Sequence, residues 1–426
     1  MHILSKSTYI KGLQCEKALY MTKKHPYLRD RLSIEQRAKF QRGTDVGILA
    51  QDCFPGGVNM TPSSPTLFPK QVERTRENLS NPNINVMYEA VFQYNDTLIM
   101  LDILVRDGAQ WKAIEVKSSL KITDTYKNDA ALQYYVLKGC GVPLSDFRLM
   151  YLNGDYVKEG PIDVKQLFCS ESVLDFVKEH NAEVSANVER LKAVVAMEHA
   201  PVMEVGPHCF DPYTCDFRGH CWKNVVEDQN YTLDYKTLFS LSPNPRPRHI
   251  ACLNLLMDRP AVPELDGTRP YQEMILGFDL QGEYEEGGHT CWDCFDDHSR
   301  WQESISLLIQ RLGAYEQVIC FTPTNLSTTL MRHEILQNLQ IGYKIFNLYE
   351  VLRDAQFFHP VIRNGMTLQN VVKAVFTDVT LFEHSRVILE ALSKESTGYE
   401  QARKDLQTEN EAVIKLYQKF FGTQPV

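Results

Sequence analysis

Apolar residues crowd most densely into three short runs between Asn85 and Ser119, with polar turns at Asn95-Asp96 and Asp107-Gly108 between them. Runs of this length, bounded by Asn, Asp and Gly, predict three consecutive β-strands joined by tight hairpins. Each strand carries an acid among its apolar residues: Glu89 in the first, Asp102 in the second and Glu115 in the third. A carboxylate inside a strand is costly unless its charge is paired or holds a metal. Side chains alternate along a strand, so Glu115 and Lys117 project from one face while Ile114 and Val116 pack on the other. Any one of these acids reads most simply as part of a solvated strand face. Three acids and a lysine on adjacent strands instead outline a hydrolase centre, able to hold a divalent cation and activate a water.

Helical patterns surround these strands. Ser5 or Ser7 can cap a helix through TYIKGLQCEKALYMTKK, which places Cys15 on its middle turn. Arg29 to Gln51 reads as a second helical stretch, broken near Gly43 and Gly47, and Pro55 to Pro69 as a loop. Asp129 to Gly141 predicts a helix on which Gln133 and Tyr135 could reach the acidic centre, or Tyr135 could sit in the core. Leu174 to Met197 is a longer helix with Val177, Val184, Val188, Leu191 and Val195 as its apolar stripe. Beyond it, GPHCFDPYTCDFRGHCW spaces Cys209, Cys215 and Cys221 evenly among Gly, Pro and aromatic residues. A loop so dense in Cys can wrap a metal centre. With His208 and His220 adjacent, zinc is one candidate. Cys15 is the candidate for a fourth ligand.

The length of 426 residues favours two domains. The composition is that of a soluble protein, and no apolar run is long enough to span a membrane. The opening residues lack a signal-peptide pattern, so the expected location is cytoplasmic, where the 11 Cys would not form a disulfide framework. The net charge of −9 is unevenly spread. Residues 1–60 hold ten Lys and Arg against five Asp and Glu, whereas 261–300 hold two against ten. A phosphate backbone would prefer the first region, and the second should face water or a protein partner.

Taken in order, a Cys on the first helix, the Glu, Asp and Glu-x-Lys strands, a Gln/Tyr helix and a late triple-Cys loop resemble the RecB-type, PD-(D/E)XK nucleases that carry an iron–sulfur cluster. These include CRISPR-adaptation nucleases and the cluster-bearing nuclease domains of bacterial helicase–nucleases. The resemblance covers about residues 1–235. It implies that Glu89, Asp102 and Glu115 bind Mg²⁺ or Mn²⁺, and that Lys117 orients the attacking water. It further implies that Gln133 and Tyr135 line the DNA path, and that Cys15, Cys209, Cys215 and Cys221 ligate a 4Fe–4S cluster. The chain departs from the pattern twice. Many relatives have a metal-binding His near Gly43–Ala50, where this chain reads GTDVGILA. The Gln motif runs Gln133-Tyr134-Tyr135 rather than Gln with Tyr four residues later.

LSPNPRPR, from Leu241 to Arg248, reads as a Pro-rich linker. It divides an expected nuclease domain, 1–240, from a second domain, 249–426, that begins strand, loop, strand. DGTRPYQ and FFHPVIRNGMTLQNVV resemble an uncharacterised bacterial family that joins a RecB-like half to a DnaQ-like, RNase H-fold exonuclease half. Such exonucleases need Asp-x-Glu on their first strand, where this chain has Asn254 and Leu256. CFTPTNLSTTL supplies no second acid, and Glu409 is the one survivor, so the second domain reads as degenerate and non-catalytic. In HTCWDCFDDH, residues His289, Cys291, Cys294 and His298 have zinc-like spacing, but the stretch reads better as an acidic hairpin with chance Cys.

The expected fold is therefore α/β: a restriction-endonuclease-like domain with an Fe–S staple, then an RNase H-like domain. The leading expectation for function is a metal-dependent deoxyribonuclease that prefers single strands, in DNA repair or defence against foreign DNA, with a protein partner on the second domain. The alternative is a DNA-binding or adaptor subunit with a weak or silent centre. RNA is the third possibility, since phosphate and metal chemistry does not read the sugar.

Overall fold

The computed structural model describes residues 3–32, 34–223, 230–243, 247–282, 285, 288–323, 345–376, 379, 381 and 396–422. The protein is α/β, with two mixed, open sheets of seven and five strands. It divides into two compact units. One comprises Met1–Val225 together with Pro260–Tyr271, and the other Val226–Arg259 with Gln272–Val426. Of the Pro-rich stretch 241–248, residues 244–246 lie outside the described residues. Among the described residues no helix is long and apolar enough to cross a membrane.

The first unit opens with β1 (Leu4–Ser5), α1 (Lys6–Gln14), α2 (Glu16–Lys24) and α3 (Ile34–Gln51), followed by β2 (Val58–Asn59) and α4 (Phe68–Ser80). The three expected strands follow as β3 (Val86–Tyr94), β4 (Thr97–Asp107) and β5 (Gln110–Lys117). The hairpin between β3 and β4 turns at Asn95 and Asp96, both with positive φ, as a tight two-residue turn requires. Then come α5 (Asp124–Gly139), β6 (Leu144–Leu152), α6 (Val164–Leu167), β7 (Phe168–Ser172), α7 (Leu174–Glu179), α8 (Asn181–Ala196) and α9 (Arg218–Cys221). The sheet order is β2-β3-β4-β5-β6-β7, with β1 paired in parallel to the start of β4. Leu101, Leu104, Trp111 and Ala113 share a core with α1, α2, α5 and α8. Ile103, Ile114 and Val116 pack instead with Val46 and Ala50 of α3 and with Ala261.

Several local expectations are corrected. The first helix is two helices, because Cys15 is extended (φ −158°, ψ 113°) and caps the end of α1 and the start of α2. Gly43 and Gly47 do not break α3; they stand in its interior, Gly43 exposed and Gly47 half-buried, a cost of about 1 kcal/mol each relative to Ala. The loop at Pro55–Pro69 contributes β2, which pairs with β3, and its last two residues already belong to α4. The helix carrying Gln133 begins earlier, at Asp124, because Thr123 caps it by accepting from the Tyr126 N–H. The helix expected from Leu174 to Met197 divides at His180.

The segment 260–271 belongs to the first unit although its flanks do not. Its ends close on each other through the Tyr271 N–H and the Pro260 carbonyl at 2.8 Å. Gly267 N–H donates to the Lys158 carbonyl at 2.8 Å, and Lys158 N–H to the Thr268 carbonyl at 3.0 Å. Lys158 also pairs with Asp266. Tyr271, with φ +56°, donates its hydroxyl to the Ser118 carbonyl at 2.8 Å, one residue beyond Lys117.

The second unit contains α10 (Tyr235–Ser240), β8 (Ile250–Asp258), β9 (Met274–Gly282), β10 (His289–Asp293) and α11 (Trp301–Leu312). β11 (Gln317–Cys320), β12 (Ile345–Asn347), α12 (Leu348–Asp354), α13 (Leu368–Val375) and α14 (Ser396–Phe421) complete it. The order is β10-β9-β8-β11-β12, antiparallel from β10 to β8 and parallel from β8 to β12. Strand, loop, strand was legible for β8 and β9. Asn410 of α14 donates to the carbonyls of Cys252 and Asp279, both at 3.0 Å, and to Asp279 Oδ2 at 2.8 Å. Both side chains are wholly buried. Asn410→Ala should cost about 3 kcal/mol, because it strips a buried carboxylate and two carbonyls of their donor. A shift in the urea midpoint of the intact chain measures it, and a change under 1 kcal/mol would mean that the network contributes little.

Candidate active site

The three acids meet because the strands are in register. β3 pairs with β4 at Tyr88–Ile103 and again at Ala90–Leu101, so the skipped rung is Glu89–Asp102. β4 pairs with β5 at Ile103–Ile114, which puts Glu115 one rung further, beside Asp102. The skipped rung is strained: Glu89 has φ +52°, a conformation costing a non-glycine residue of order 1–3 kcal/mol. Asp102 Oδ2 accepts from the Val116 N–H at 2.6 Å. Lys117 Nζ donates to Glu115 Oε1 at 2.7 Å and also bonds Asp129 Oδ2.

Two further residues complete the cluster, and neither was singled out from the sequence. Lys6, in the first turn of α1, donates to the same Glu115 Oε1 at 2.6 Å and stands 3.8 Å from Asp129 Oδ2. Asp129 is a buried acid on α5. A signal existed for each. A lysine in the first turn opposes the helix dipole, and an acid that begins the apolar run DAALQYYVL needs a partner.

The electrostatics follow from burial. Burial, then the Glu115 charge, push Glu89 up to about 7 against the pull of Lys6. Asp102 is raised well above the usual carboxylate range, again by burial first and Glu115 second. Burial would raise Glu115 too, but Lys117 and Lys6 together overcome it and hold that carboxyl well below its ordinary value. Both lysines are held charged, because the carboxylates outweigh the burial that opposes their charge.

The donors left over are suited to a ligand. Glu115 Oε2 and Asp129 Oδ1 are buried without a hydrogen-bond partner. Gln133, one turn beyond Asp129 on α5, is wholly buried with both amide atoms unpaired. Tyr135 is not drawn into this cluster. Residues two apart on a helix do not face the same way. Its hydroxyl accepts from Asn95 Nδ2 at 2.8 Å and its ring packs edge-on against Tyr94. Carboxylate oxygens and an amide are the donor set that Mg²⁺ or Mn²⁺ takes. Among the described residues no group of three or more His, Cys, Asp or Glu side chains is arranged to hold a metal ion, and the cations beside these acids are Lys6 and Lys117.

The four cysteines meet elsewhere in the same unit. Cys15, Cys209, Cys215 and Cys221 line one open cavity, with His208, Lys17 and Arg218 on its wall. The first helices are stitched to the Cys loop. Gln14 Nε2 donates to the carbonyls of His208 at 2.7 Å and Tyr213 at 2.6 Å, Lys11 pairs with Asp216, and the Gly219 N–H donates to Asp30 at 2.9 Å. The extended backbone at Cys15 is what turns the chain from α1 into α2 at this wall. Burial pushes the thiols of Cys15 and Cys221 up and that of Cys215 to about 11. Lys17, near Cys15 and Cys221, favours their thiolates. Four thiols on one cavity wall are soft donors of the kind that iron or zinc takes. His208 Nε2, 3.8 Å from Cys209 Sγ, keeps zinc with a mixed ligand set chemically reasonable.

In the second unit Asn254 and Leu256 lie on β8, where Asn254 Nδ2 donates to Glu409 Oε2 at 2.9 Å and to the Leu406 carbonyl at 3.1 Å. Glu409 is itself buried, and so is Asp279, opposite Asn254 on β9, with His289 Nδ1 at 3.3 Å. Of CFTPTNLSTTL, residues 324–330 lie outside the described residues. In HTCWDCFDDH, Cys291 is exposed on β10, whereas Cys294 is buried with its thiol against the Leu276 carbonyl. When this chain is compared with known proteins, no family model and no curated sequence matches it.

Proposed function

We propose that the first unit is a metal-dependent deoxyribonuclease of the RecB, PD-(D/E)XK type, and that the second is a non-catalytic RNase H-like domain that binds DNA or a protein partner. The observation that carries this reading is the rung Glu89–Asp102–Glu115, with Lys117 bonded to Glu115 and an unpaired, buried Gln133 close by. Glu89, Asp102 and Glu115 would hold Mg²⁺ or Mn²⁺, which supplies charge neutralisation at the scissile phosphate and a more acidic water. Lys117 orients the attacking water and stabilises charge on the phosphate. Gln133 offers both a donor and an acceptor to whatever enters. Cys15, Cys209, Cys215 and Cys221 would hold a 4Fe–4S cluster with a structural role, tying the first two helices to the end of the unit.

The direct test is cleavage of single-stranded DNA with Mn²⁺ by protein purified without oxygen, beside duplex DNA and RNA. The reading also sets a pH dependence. Cation binding must displace the protons that burial keeps on Glu89, near pH 7, and on Asp102. Affinity for Mn²⁺ should therefore rise with pH, about fivefold between pH 6 and 7 for the Glu89 proton alone and more steeply if Asp102 releases one too. A flat profile from pH 6 to 8 would exclude Glu89 and Asp102 as ligands.

One specific observation favours a second reading. The residues Gly43–Ala50 on α3 contain no His, and β8 carries Asn254 and Leu256 where acids are needed. Stable binding of DNA without cleavage of any of the three nucleic acids would identify an adaptor subunit whose chemistry lies in a partner.

A further inference from the structure

The arrangement of Lys6 bears on how many cations the centre can take, given the nuclease reading above. Lys6 and Lys117 converge on one oxygen, Glu115 Oε1, at 2.6 and 2.7 Å, and both face Asp129 Oδ2. The second oxygen of each acid, Glu115 Oε2 and Asp129 Oδ1, is buried and unpaired. The lysines thus occupy one side of the Glu115–Asp129 pair and leave one set of oxygens open. With Glu89, Asp102, Glu115 and Asp129 ionised, four negative charges meet two ammoniums, and the remainder equals the charge of one divalent cation. A second divalent ion would have to sit against an ammonium in a site too buried to screen the repulsion.

We infer that Lys6 stands in for a second metal ion, so that this centre works with one divalent cation held toward Glu115 Oε2, Asp102 and Glu89. Lys6 is fixed in that role by its place on α1. Ser5, the N-cap, accepts from the Thr8 N–H while its own N–H donates to Thr8, which pins the first turn. At the other end of the helix Cys15 enters the cysteine cavity. Lys6 is then a positioning residue for Glu115, supplying permanently the charge that a two-metal nuclease recruits from solution.

The experiment counts Mn²⁺ by the room-temperature EPR signal of the free ion, titrated into the full chain. The ions counted are those lost in Asp102→Ala. Wild type should bind one such ion. Lys6→Met should bind a second, or bind the first at least tenfold more tightly, and Lys6→Arg should restore the single ion at wild-type affinity. Lys6 is partly exposed, and unchanged melting of each variant confirms that the count reports the centre. Two ions in wild type, or an unchanged count and affinity in Lys6→Met, would overturn the inference and leave the nuclease reading standing. No difference between wild type and Asp102→Ala would instead remove the metal centre itself.

Discussion

Replacing Asp102 by Ala, or Lys117 by Ala, will reduce cleavage of single-stranded DNA to background, by at least about a thousandfold. That is the scale on which losing one member of a concerted site is felt. Asp102 is the middle acid of three, opposite Glu89 on one side and beside Glu115 on the other, so its loss removes the carboxylate that the proposed cation would share with both. Lys117 contacts Glu115 and Asp129 together. Neither change should unfold the unit. In Lys117→Ala, Lys6 still bonds Glu115 Oε1. Asp102→Asn serves as the matched control, since it removes the charge while an amide oxygen can still accept from Val116. Rates are measured with Mn²⁺ on proteins of equal melting temperature. Wild-type-like cleavage by either alanine variant would sink the assignment of the centre.

On the cluster reading proposed above, replacing Cys209 by Ser will remove the cluster's brown colour and lower the melting temperature by about 10 °C. A metal group that binds the folded chain contributes its binding energy to folding. Losing roughly 4 kcal/mol from a domain of this size shifts the midpoint by about 8–16 °C. The effect should be large because the cavity joins sequence-distant parts: Cys15 lies some 190 residues before Cys209, with Phe217 and a set of hydrogen bonds and ion pairs as the loop's other ties to the first helices. Iron and zinc content, measured with the melting curve, separate a cluster from a zinc ion. A colourless, metal-free wild type that melts as Cys209→Ser does would show that the four thiols hold nothing.

Much of the centre was legible because it depends on strand alternation and tight turns. A period of two and two short hairpins suffice to bring Glu89, Asp102 and Glu115 onto neighbouring rungs. Lys6 and Asp129 were less legible, since each reaches the cluster from a helix packed on the sheet, and helix-to-sheet docking is not encoded in local periodicity. Tyr135 shows the converse: from the sequence it could reach the centre beside Gln133 or sit in the core, and two residues along a helix turn its side chain away, toward Asn95. The break at Cys15 was hidden because TYIKGLQCEKALYMTKK contains no proline and reads as helix on both sides of Cys15, where the chain turns instead at the wall of the cysteine cavity. The return of 260–271 to the first unit could not be read at all, as it rests on contacts with Lys158 and Ser118 more than a hundred residues earlier.

That return has a consequence for how the protein is made. Ala261, with Val262 and Tyr271 beside it, covers an apolar face built by Val46, Ile103, Ile114 and Val116. During synthesis this face is finished in every other respect once residue 225 has emerged, yet its cover arrives 46 residues later. At roughly 5–20 residues per second, the exposed surface waits about 2–9 s on the ribosome. The first unit therefore completes its fold only after part of the second has been made, and the order of the gene, rather than any contact in the finished molecule, sets the period in which a chaperone would be useful.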